Sequence, residues 1–258
     1  MGKLTRTLLS GASFIALIIG GQVTPVQAAP CTAPGDPGNF NTSGDCDHIV
    51  ITGDYGGDVV VDAGDAVTGP PVDGPSLITP FNTHFAGPPT LVLDGFFGVV
   101  NATTGVTIGG SIINDGTIAA ANTVDLTISD VVVGIGNVGM DIGGAIVNNG
   151  LIDVFASDVA SLAPDSAHAI GVAATDTTDT AFFNATGASL DVRALASETV
   201  ADSVGAYAAG VFQSATGTLA PAVAQVTNLG SIDVSATAVV GATTGTTVFA
   251  LSSATAVR

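Results

Sequence analysis

Three aspartates recur in one short phrase, and their carboxylates are the groups in this sequence best suited to chemistry. Asp153, Asp191 and Asp233 stand in "IDV", "LDV" and "IDV". If equivalent strands stack every second turn, the carboxylates lie roughly 10 Å apart, near the range of an inverting glycosidase pair. A general acid needs burial or a close like charge to raise its pKa, and an outward strand aspartate has neither. The row is predicted to be a solvated face; a cation-binding ladder is the first alternative and catalysis the second.

The other residue types that support catalysis are scattered. His48, His84 and His168 are isolated in sequence and are predicted to be structural residues rather than ligands. No serine stands in a Gly-x-Ser-x-Gly turn, and no Gly-rich loop precedes a lysine. The sequence therefore predicts no catalytic residue, no metal site, no cofactor and no enzyme activity.

The first 28 residues have the three-part pattern of a secretory signal peptide. Lys3 and Arg6 precede an apolar run of 14 residues, and Val26 and Ala28 fit a cleavage site. The run is too short to remain as a membrane span. Residues 1–28 are predicted to be removed on export, which leaves no stable membrane span.

The rest of the chain is acidic and yet apolar. Without Lys3 and Arg6, two arginines stand against 22 acidic residues. Because phosphates are neutralised by Lys and Arg, this composition excludes nucleic-acid binding and disfavours anionic lipid surfaces. Hydrophobic residues make up 47% of the chain, too many for a disordered acidic tail. Abundant Gly, Thr and Val favour strands and turns over helices.

Cys31 and Cys46 are the two cysteines of the chain. In an exported protein they are predicted to form a disulfide that fastens the mature N-terminus, worth about 3 kcal/mol. Two free thiols or a metal pair are the alternatives, although no other Cys or clustered His completes a metal site.

Prolines divide the mature chain in two. Nine of the 12 lie between residues 30 and 89, where they remove backbone donors and limit sheets to short pieces. Residues 29–90 are predicted to form an irregular Pro/Gly-rich cap with short strands at 48–53 and 58–64. Residues 91–258 are predicted to form a repeat region.

The repeat is a phrase of apolar residues, Asn, a Gly within three residues, and then Ile or Leu. Successive anchors are spaced by 34, 36 and 44 residues, with a shorter relative upstream. A second phrase containing Gly134, Gly171 and Gly210 alternates with the first, so each unit is predicted to contain two strand-bearing turns. The structural corner residues are predicted to be Asn101, Asn114, Asn148, Asn184 and Asn228.

The predicted strands alternate with period two, as in 231–238, where every second residue is apolar. Such a turn cannot bury its apolar face alone, so turns must stack into a continuous core. The corner Asn tolerates a left-handed backbone and can hydrogen-bond along the stack. The fold class is predicted to be all-β, a right-handed parallel β-helix (solenoid) over 91–258. The rival is an antiparallel β-sandwich, which does not require the recurring phrase.

The signal sequence, the Cys-bearing cap and the repeated "N-x-G-x-I-D-V" with interleaved "A-x-G-V" resemble the β-helical passenger of a bacterial autotransporter or a related surface adhesin. The resemblance covers residues 91–258 and rests on repeat style. It implies export through the periplasm to the cell surface or beyond, and adhesion or aggregation as the function. Members of that family end in a membrane barrel, which this chain lacks, so a fragment or another secretion route is expected.

Three functions are therefore expected, in order of preference. The first is a non-catalytic adhesin-like protein whose partner is a surface glycan or a protein receptor. The second is a self-associating surface-layer or biofilm component, and the third is a glycan-active enzyme. The candidate contact segments are residues 80–87, 157–167 and 213–222. Asn41, Asn101 and Asn184 lie in glycosylation sequons but are interpreted as corner residues.

Overall fold

The structure is a computed structural model, and it describes residues 31–33, 38–68, 94–101, 106–122, 130–138, 141–158, 166–176, 180–198, 203–215, 224–240 and 249–257. The predicted signal peptide lies outside these ranges. Regular structure within them is all-β, as the composition predicts. Each pair of strands described in these ranges is parallel, which excludes the antiparallel sandwich.

Three sheets contain nearly all the strands. The first sheet has, in spatial order, β1 (Cys31–Ala33), β3 (Ile49–Ile51), β6 (Asp94–Asn101), β10 (Asp130–Val138), β14 (Ser166–Asp176), β17 (Ser203–Ala215) and β20 (Phe249–Val257). The second sheet has β2 (Phe40–Asn41), β4 (Val59–Val61), β8 (Ile112–Asn114), β12 (Ile146–Asn148), β15 (Thr180–Asn184) and β18 (Ala224–Asn228). The third sheet has β5 (Ala66–Val67), β9 (Thr117–Ala121), β13 (Leu151–Asp158), β16 (Ser189–Glu198) and β19 (Ser231–Val240). A short pair is formed by β7 (Thr107–Ile108) and β11 (Asp141–Ile142).

The chain visits the first, second and third sheets in that order and then returns to the first; we call one such circuit a pass. Each Asn repeat corresponds to one pass, so the prediction of two turns per repeat was wrong. The reason is that strands with the Gly-containing phrase pair with one another in the first sheet, whereas strands with the Asn phrase form the second and third sheets. This parallel arrangement is compatible with the predicted β-helix.

Strands of the predicted cap join the same sheets. β3 pairs with β6, with Ile49 opposite Val99, and β4 pairs with β8, with Val59 opposite Ile112. The short strands predicted at 48–53 and 58–64 are thus present, and their pairing continues in parallel into the predicted repeat region.

The third sheet is half-buried, as its alternation predicts. Along β13 the even-numbered residues are buried and the odd-numbered ones are partly exposed. In β19 the apolar residues of 231–238 pack on the core while their polar neighbours are exposed. Consecutive passes therefore place equivalent side chains in continuous rows on the inner and outer faces.

The first sheet is buried on both faces, which the period-two prediction missed. In β14 the core residues Ala167 and Ala169 alternate with His168 and Ile170, and all four are at most 3% exposed. The alternation shifts by one residue at Gly171. Before it the odd-numbered residues belong to the core cluster, and after it the even-numbered Val172 belongs to the same cluster.

Glycines mark the same point on consecutive strands of the first sheet. A Cβ built on Gly134 would lie 2.8 Å from Ile152 Cγ2, and one built on Gly171 would lie 2.5 Å from Leu190 Cδ1. Real Cβ atoms do not approach other atoms so closely, so only glycine lets the first sheet lie this near the third. The glycine column is formed by Gly98, Gly134, Gly171 and Gly210.

Candidate functional site

The three aspartates of the repeated phrase form a row on the outer face of the third sheet. Asp153 is in register with Asp191, and Asp191 with Asp233, on the adjacent strands β13, β16 and β19. Neighbouring strands lie about 4.8 Å apart, so the prediction of carboxylates on every second turn at twice that distance was wrong. The predicted outward placement is confirmed, since Asp153 and Asp191 are partly exposed and Asp233 is exposed.

Arg193 interrupts this acidic row. Its Nη2 donates to both carboxylate oxygens of Asp153, at 2.7 and 3.0 Å, and its guanidinium carbon lies 5.3 Å from the centre of the Phe155 ring. Like charges opposite each other on adjacent strands repel, and this pair offsets part of that repulsion. Arg193 is the sole Lys or Arg among the described residues. Sequence reasoning missed the pair because its members are 40 positions apart.

A different set of partners surrounds the central aspartate. Asp191 Oδ1 accepts a hydrogen bond from Ser189 Oγ at 2.9 Å, and Ser231 Oγ donates to Ser189 Oγ at 3.1 Å. The outer face therefore presents carboxylates, hydroxyls and one guanidinium in a regular grid. Such a grid can accept hydrogen bonds from a polar ligand and donate hydrogen bonds to it.

In the described part of the chain, no group of three or more His, Cys, Asp and Glu side chains is arranged to hold a metal ion. Asp153, Asp191 and Asp233 are among these described residues, so the alternative of a metal-binding ladder gains no support. The cationic group that pairs with a carboxylate of this row is the guanidinium of Arg193, which contacts Asp153.

The corner asparagines form a second row between the second and third sheets, in which Asn114, Asn148 and Asn184 are buried and Asn228 is exposed. Asn114 Nδ2 donates to Asn148 Oδ1, Asn148 Nδ2 to Asn184 Oδ1, and Asn184 Nδ2 to Asn228 Oδ1, each at 2.8 Å. Each Nδ2 also donates to a backbone carbonyl in the third-sheet strand of the next pass, at Leu151, Ser189 and Ser231, over 2.9–3.0 Å. The predicted hydrogen bonding along the stack is confirmed for these four residues.

Two parts of the corner prediction were wrong. No described residue other than glycine has a positive φ, so the corner asparagines do not adopt a left-handed backbone. Asn101 is also not part of the row, because it ends β6 in the first sheet, where it is in register with Ile51. The buried side chain of Asn184 is inaccessible to a glycosylating enzyme in the folded chain.

His168 lies on the outer face of the first sheet, and its imidazole stacks on the ring of its neighbour. The ring centroids of His168 and Tyr207 are 4.7 Å apart with an interplanar angle of 17°. Burial lowers the pKa of His168 from 6.5 to about 4, because desolvation disfavours the charged imidazolium. Of the other histidines, His48 is half-buried before β3, and His84 lies outside the described residues.

Cys31 and Cys46 form the predicted disulfide, with their Cα atoms 5.6 Å apart. Cys31 begins β1 in the first sheet, and the fully buried Cys46 is bridged in parallel to Val67 of the third sheet. The bond therefore ties two sheets together at the start of the stack, and it fits an oxidising, exported environment.

The candidate contact segments fall largely outside the described residues. This applies to all of residues 80–87, to 159–165 within the second segment and to 216–222 within the third. The outer face of the third sheet is a described surface that remains available for contact.

At the opposite end of the described stack, each last strand has one edge without a described partner. β18, β19 and β20 are the last strands of the second, third and first sheets, and no described strand pairs with their outer edges. The inward residues of β19 are only partly buried, whereas Leu190 and Val192 at the equivalent positions of β16 are fully buried. Leu229 and Val239, at 58% and 48% exposure, are the exposed large hydrophobic residues of the described chain, and both belong to this last pass.

The sequence matches no protein-family model, and no curated protein or solved structure is significantly similar to it. Within the described ranges there is no helix with the length and apolar character of a membrane span.

Proposed function

We propose that this chain is an exported, non-catalytic protein of the bacterial cell surface, built as a right-handed parallel β-helix similar to an autotransporter passenger. The three parallel sheets visited in constant order support the β-helix. The disulfide and the signal-like N-terminus support export. In this proposal the protein acts as an adhesin, through contacts that the regular surface offers to an extracellular partner.

The observation that carries the proposal is the in-register row of Asp153, Asp191 and Asp233 on a partly exposed face. A parallel stack repeats the same side chain in neighbouring passes, so one weak contact is presented several times at a fixed spacing. Multiple weak contacts at a matched spacing give a higher overall affinity than any one of them.

Neutral glycans are the partner class that best fits this face. Sugar hydroxyls donate to carboxylates, and the guanidinium of Arg193 can donate to ring and hydroxyl oxygens. The chain carries a formal charge of −18, which repels anionic polysaccharides at long range. Binding is therefore expected for neutral glycans, with little dependence on salt.

The test is binding of the purified protein to immobilised neutral and anionic polysaccharides, compared with its Asp191→Ala and Asp233→Ala variants. Each variant is expected to bind neutral glycan about tenfold more weakly, as for one lost hydrogen bond to a charged group. Thr186→Ala, at an exposed corner away from the row, is the matched control. Equal binding by all four proteins would count against this contact face.

The alternative function is self-association as a surface-layer or biofilm component. Dependence of the molecular mass on protein concentration, in the absence of any glycan, would favour this function over adhesion.

A further inference from the structure

The outer face of the second sheet carries an apolar row that the proposed function does not use. β4, β8, β12 and β15 contribute one side chain each, and the four side chains are in register. The first is 8% exposed and the other three are partly exposed. Because neighbouring strands lie about 4.8 Å apart, the row is about 14 Å long. We call it the apolar strip, and it consists of Val60, Ile113, Val147 and Phe183.

Small apolar residues flank the strip on its later strands. Ala145 lies two residues before Val147, and Ala181 and Ala185 lie two residues before and after Phe183. All three alanines are partly exposed, and the alternation of the strands places them on the same outer face as the strip. The surface around Val147 and Phe183 is therefore apolar on both sides.

Carboxylates flank the strip on its earlier strands. Asp58 and Asp62 lie two residues before and after Val60, and Asp115 lies two residues after Ile113. Each carboxylate accepts a hydrogen bond of 2.7–3.0 Å from a backbone N–H or an Asn amide. These donors are neutral, so no cation offsets the negative charge. One end of the strip is therefore acidic and the other end is apolar.

The charge of this surface distinguishes its possible occupants. Anionic lipids and phosphates are repelled by the three carboxylates and by the formal charge of −18. A second copy of the chain would bring the same carboxylates, and its one described Lys or Arg, Arg193, is already paired with Asp153. A cationic partner that also carries apolar side chains is complementary to both ends.

An α-helix has the spacing that this surface requires. Residues three and four positions apart on one helix face are separated by a rise of about 4.5–6 Å, close to the separation of neighbouring strands. Apolar side chains on one face of a helix can therefore follow the strip from strand to strand. Lys or Arg beside that face then reach the carboxylates that flank it.

We propose that the apolar strip binds a cationic amphipathic α-helix of a partner protein. The apolar face of the helix packs on Ile113, Val147 and Phe183, and its Lys or Arg side chains pair with the flanking aspartates. This contact lies on the second sheet, so it is separate from the proposed glycan face on the third sheet.

The first experiment uses a synthetic helical peptide of Leu and Lys, about 15 residues long, with all Leu on one face. Isothermal titration calorimetry with the purified protein is expected to show binding that weakens as salt is added, because salt screens the exposed charges. Two control peptides are expected not to bind. One has the same composition in scrambled order, and the other has Glu in place of Lys.

The apolar contact is tested with Phe183→Thr. Thr227 occupies the equivalent position of the next pass, so a threonine is compatible with this face of the sheet. The variant is expected to bind the Leu–Lys peptide about tenfold more weakly, because the largest apolar side chain of the strip is lost. Val147→Thr keeps the shape of valine and adds a hydroxyl, and it is expected to weaken binding about threefold. Circular dichroism checks the fold of both variants, and Val147→Thr decides the outcome where Phe183→Thr does not fold.

The charged contact is tested with Asp115→Asn, which retains an oxygen acceptor for Asn149. The expected loss of peptide affinity is about threefold, as for one exposed ion pair. Asp233→Asn is the matched control, because it changes the net charge equally but lies on the third sheet. It is expected to leave the affinity for the peptide unchanged.

Four results would overturn the proposal. They are no binding of the Leu–Lys peptide, equal binding of the scrambled peptide, full affinity in folded strip variants, and equal effects of Asp115→Asn and Asp233→Asn. Sedimentation equilibrium tests the alternative occupant: association of the protein with itself that Val147→Thr abolishes would assign the strip to a second copy. Glycan binding by the wild type is measured separately, so either surface can fail without the other.

Discussion

Asn148 donates a hydrogen bond to Asn184 Oδ1 over 2.8 Å while its own Oδ1 accepts one from Asn114. Both Asn148 and Asn184 are fully buried, although 36 residues separate them in the chain. A buried amide costs free energy unless its donors and acceptor are paired. The row therefore specifies register, because a strand shifted by one residue would leave amides unpaired.

Replacing Asn148 by Ala is expected to destabilise the protein by about 3 kcal/mol. The change removes an acceptor from Asn114 and a donor from Asn184, and a buried unsatisfied group costs about 1–3 kcal/mol. Urea denaturation followed by circular dichroism measures the effect. Asn149→Ala, at the neighbouring exposed position, is the control and is expected to cost less than about 1 kcal/mol. Equal losses of unfolding free energy in the two variants would show that the asparagine row has no special role in stability.

Gly171→Ala is expected to cost about 1–3 kcal/mol through overpacking. The added methyl group would lie 2.5 Å from Leu190 Cδ1 and 2.6 Å from the Gly210 carbonyl oxygen, so the first and third sheets must separate. Gly187→Ala provides the comparison: its φ of 87° strains any other residue, but no atom lies within 4 Å of the new methyl. Combining Gly171→Ala with Leu190→Ala should recover part of the loss, which a double-mutant cycle in urea measures. Strict additivity in that cycle would show that the two side chains do not meet.

The stability of the protein is expected to fall as the pH drops from 6.5 to 4. The pKa of His168 is lowered to about 4, so the unfolded chain takes up a proton in this window while the folded chain does not. The full contribution is present above pH 6.5, and a shift of this size corresponds to about 3 kcal/mol at most. His168→Phe keeps a ring to stack on Tyr207 and removes the titration. The difference in unfolding free energy between wild type and variant should therefore change over this window, and a constant difference would contradict the expectation.

Removing the disulfide by a Cys31→Ser/Cys46→Ser double replacement is expected to cost about 3 kcal/mol, the value for a loop of 15 residues. Because Cys46 is fully buried, a reductant should act slowly on the folded protein and rapidly in urea. Thiol titration over time, with and without urea, tests the second part. Immediate reduction of the folded protein would place the bond in an accessible position.

Arg193→Ala is expected to change stability by less than about 1 kcal/mol. The Arg193 side chain is 53% exposed and its partner Asp153 34% exposed, and ion pairs of this kind contribute little in water. A loss well above that value in urea would assign Arg193 a packing role on Phe155. Neutral-glycan binding is expected to weaken in the same variant, because the face loses its one described cation.

The sequence was sufficient where one periodic feature determines the structure. The alternation in 231–238 predicts the half-buried β19, and the recurring Asn predicts the buried row, because both depend on a chemistry that each pass repeats. Two cysteines in a chain with a predicted signal peptide predict the disulfide. The absence of competing signals, such as helical periodicity, made the all-β prediction secure.

Features that depend on the relation between sheets could not be predicted. The repeat length is compatible with one pass or two, and only pairing partners distinguish them, which is why the spacing of Asp153 and Asp191 was mispredicted. The glycine column could be seen in sequence as Gly134, Gly171 and Gly210, but the approach of Leu190 that requires glycine lies in another sheet. The Arg193–Asp153 pair depends in the same way on register between strands.

The register of the three aspartates is unchanged although the segments that separate them differ in length. Asp153, Asp191 and Asp233 stay aligned because β13 pairs in register with β16, and β16 with β19. A complete pass can consequently be gained or lost as a unit during evolution. A duplication or deletion in the coding sequence that spans one Asn-to-Asn interval would lengthen or shorten the stack without disturbing its neighbours.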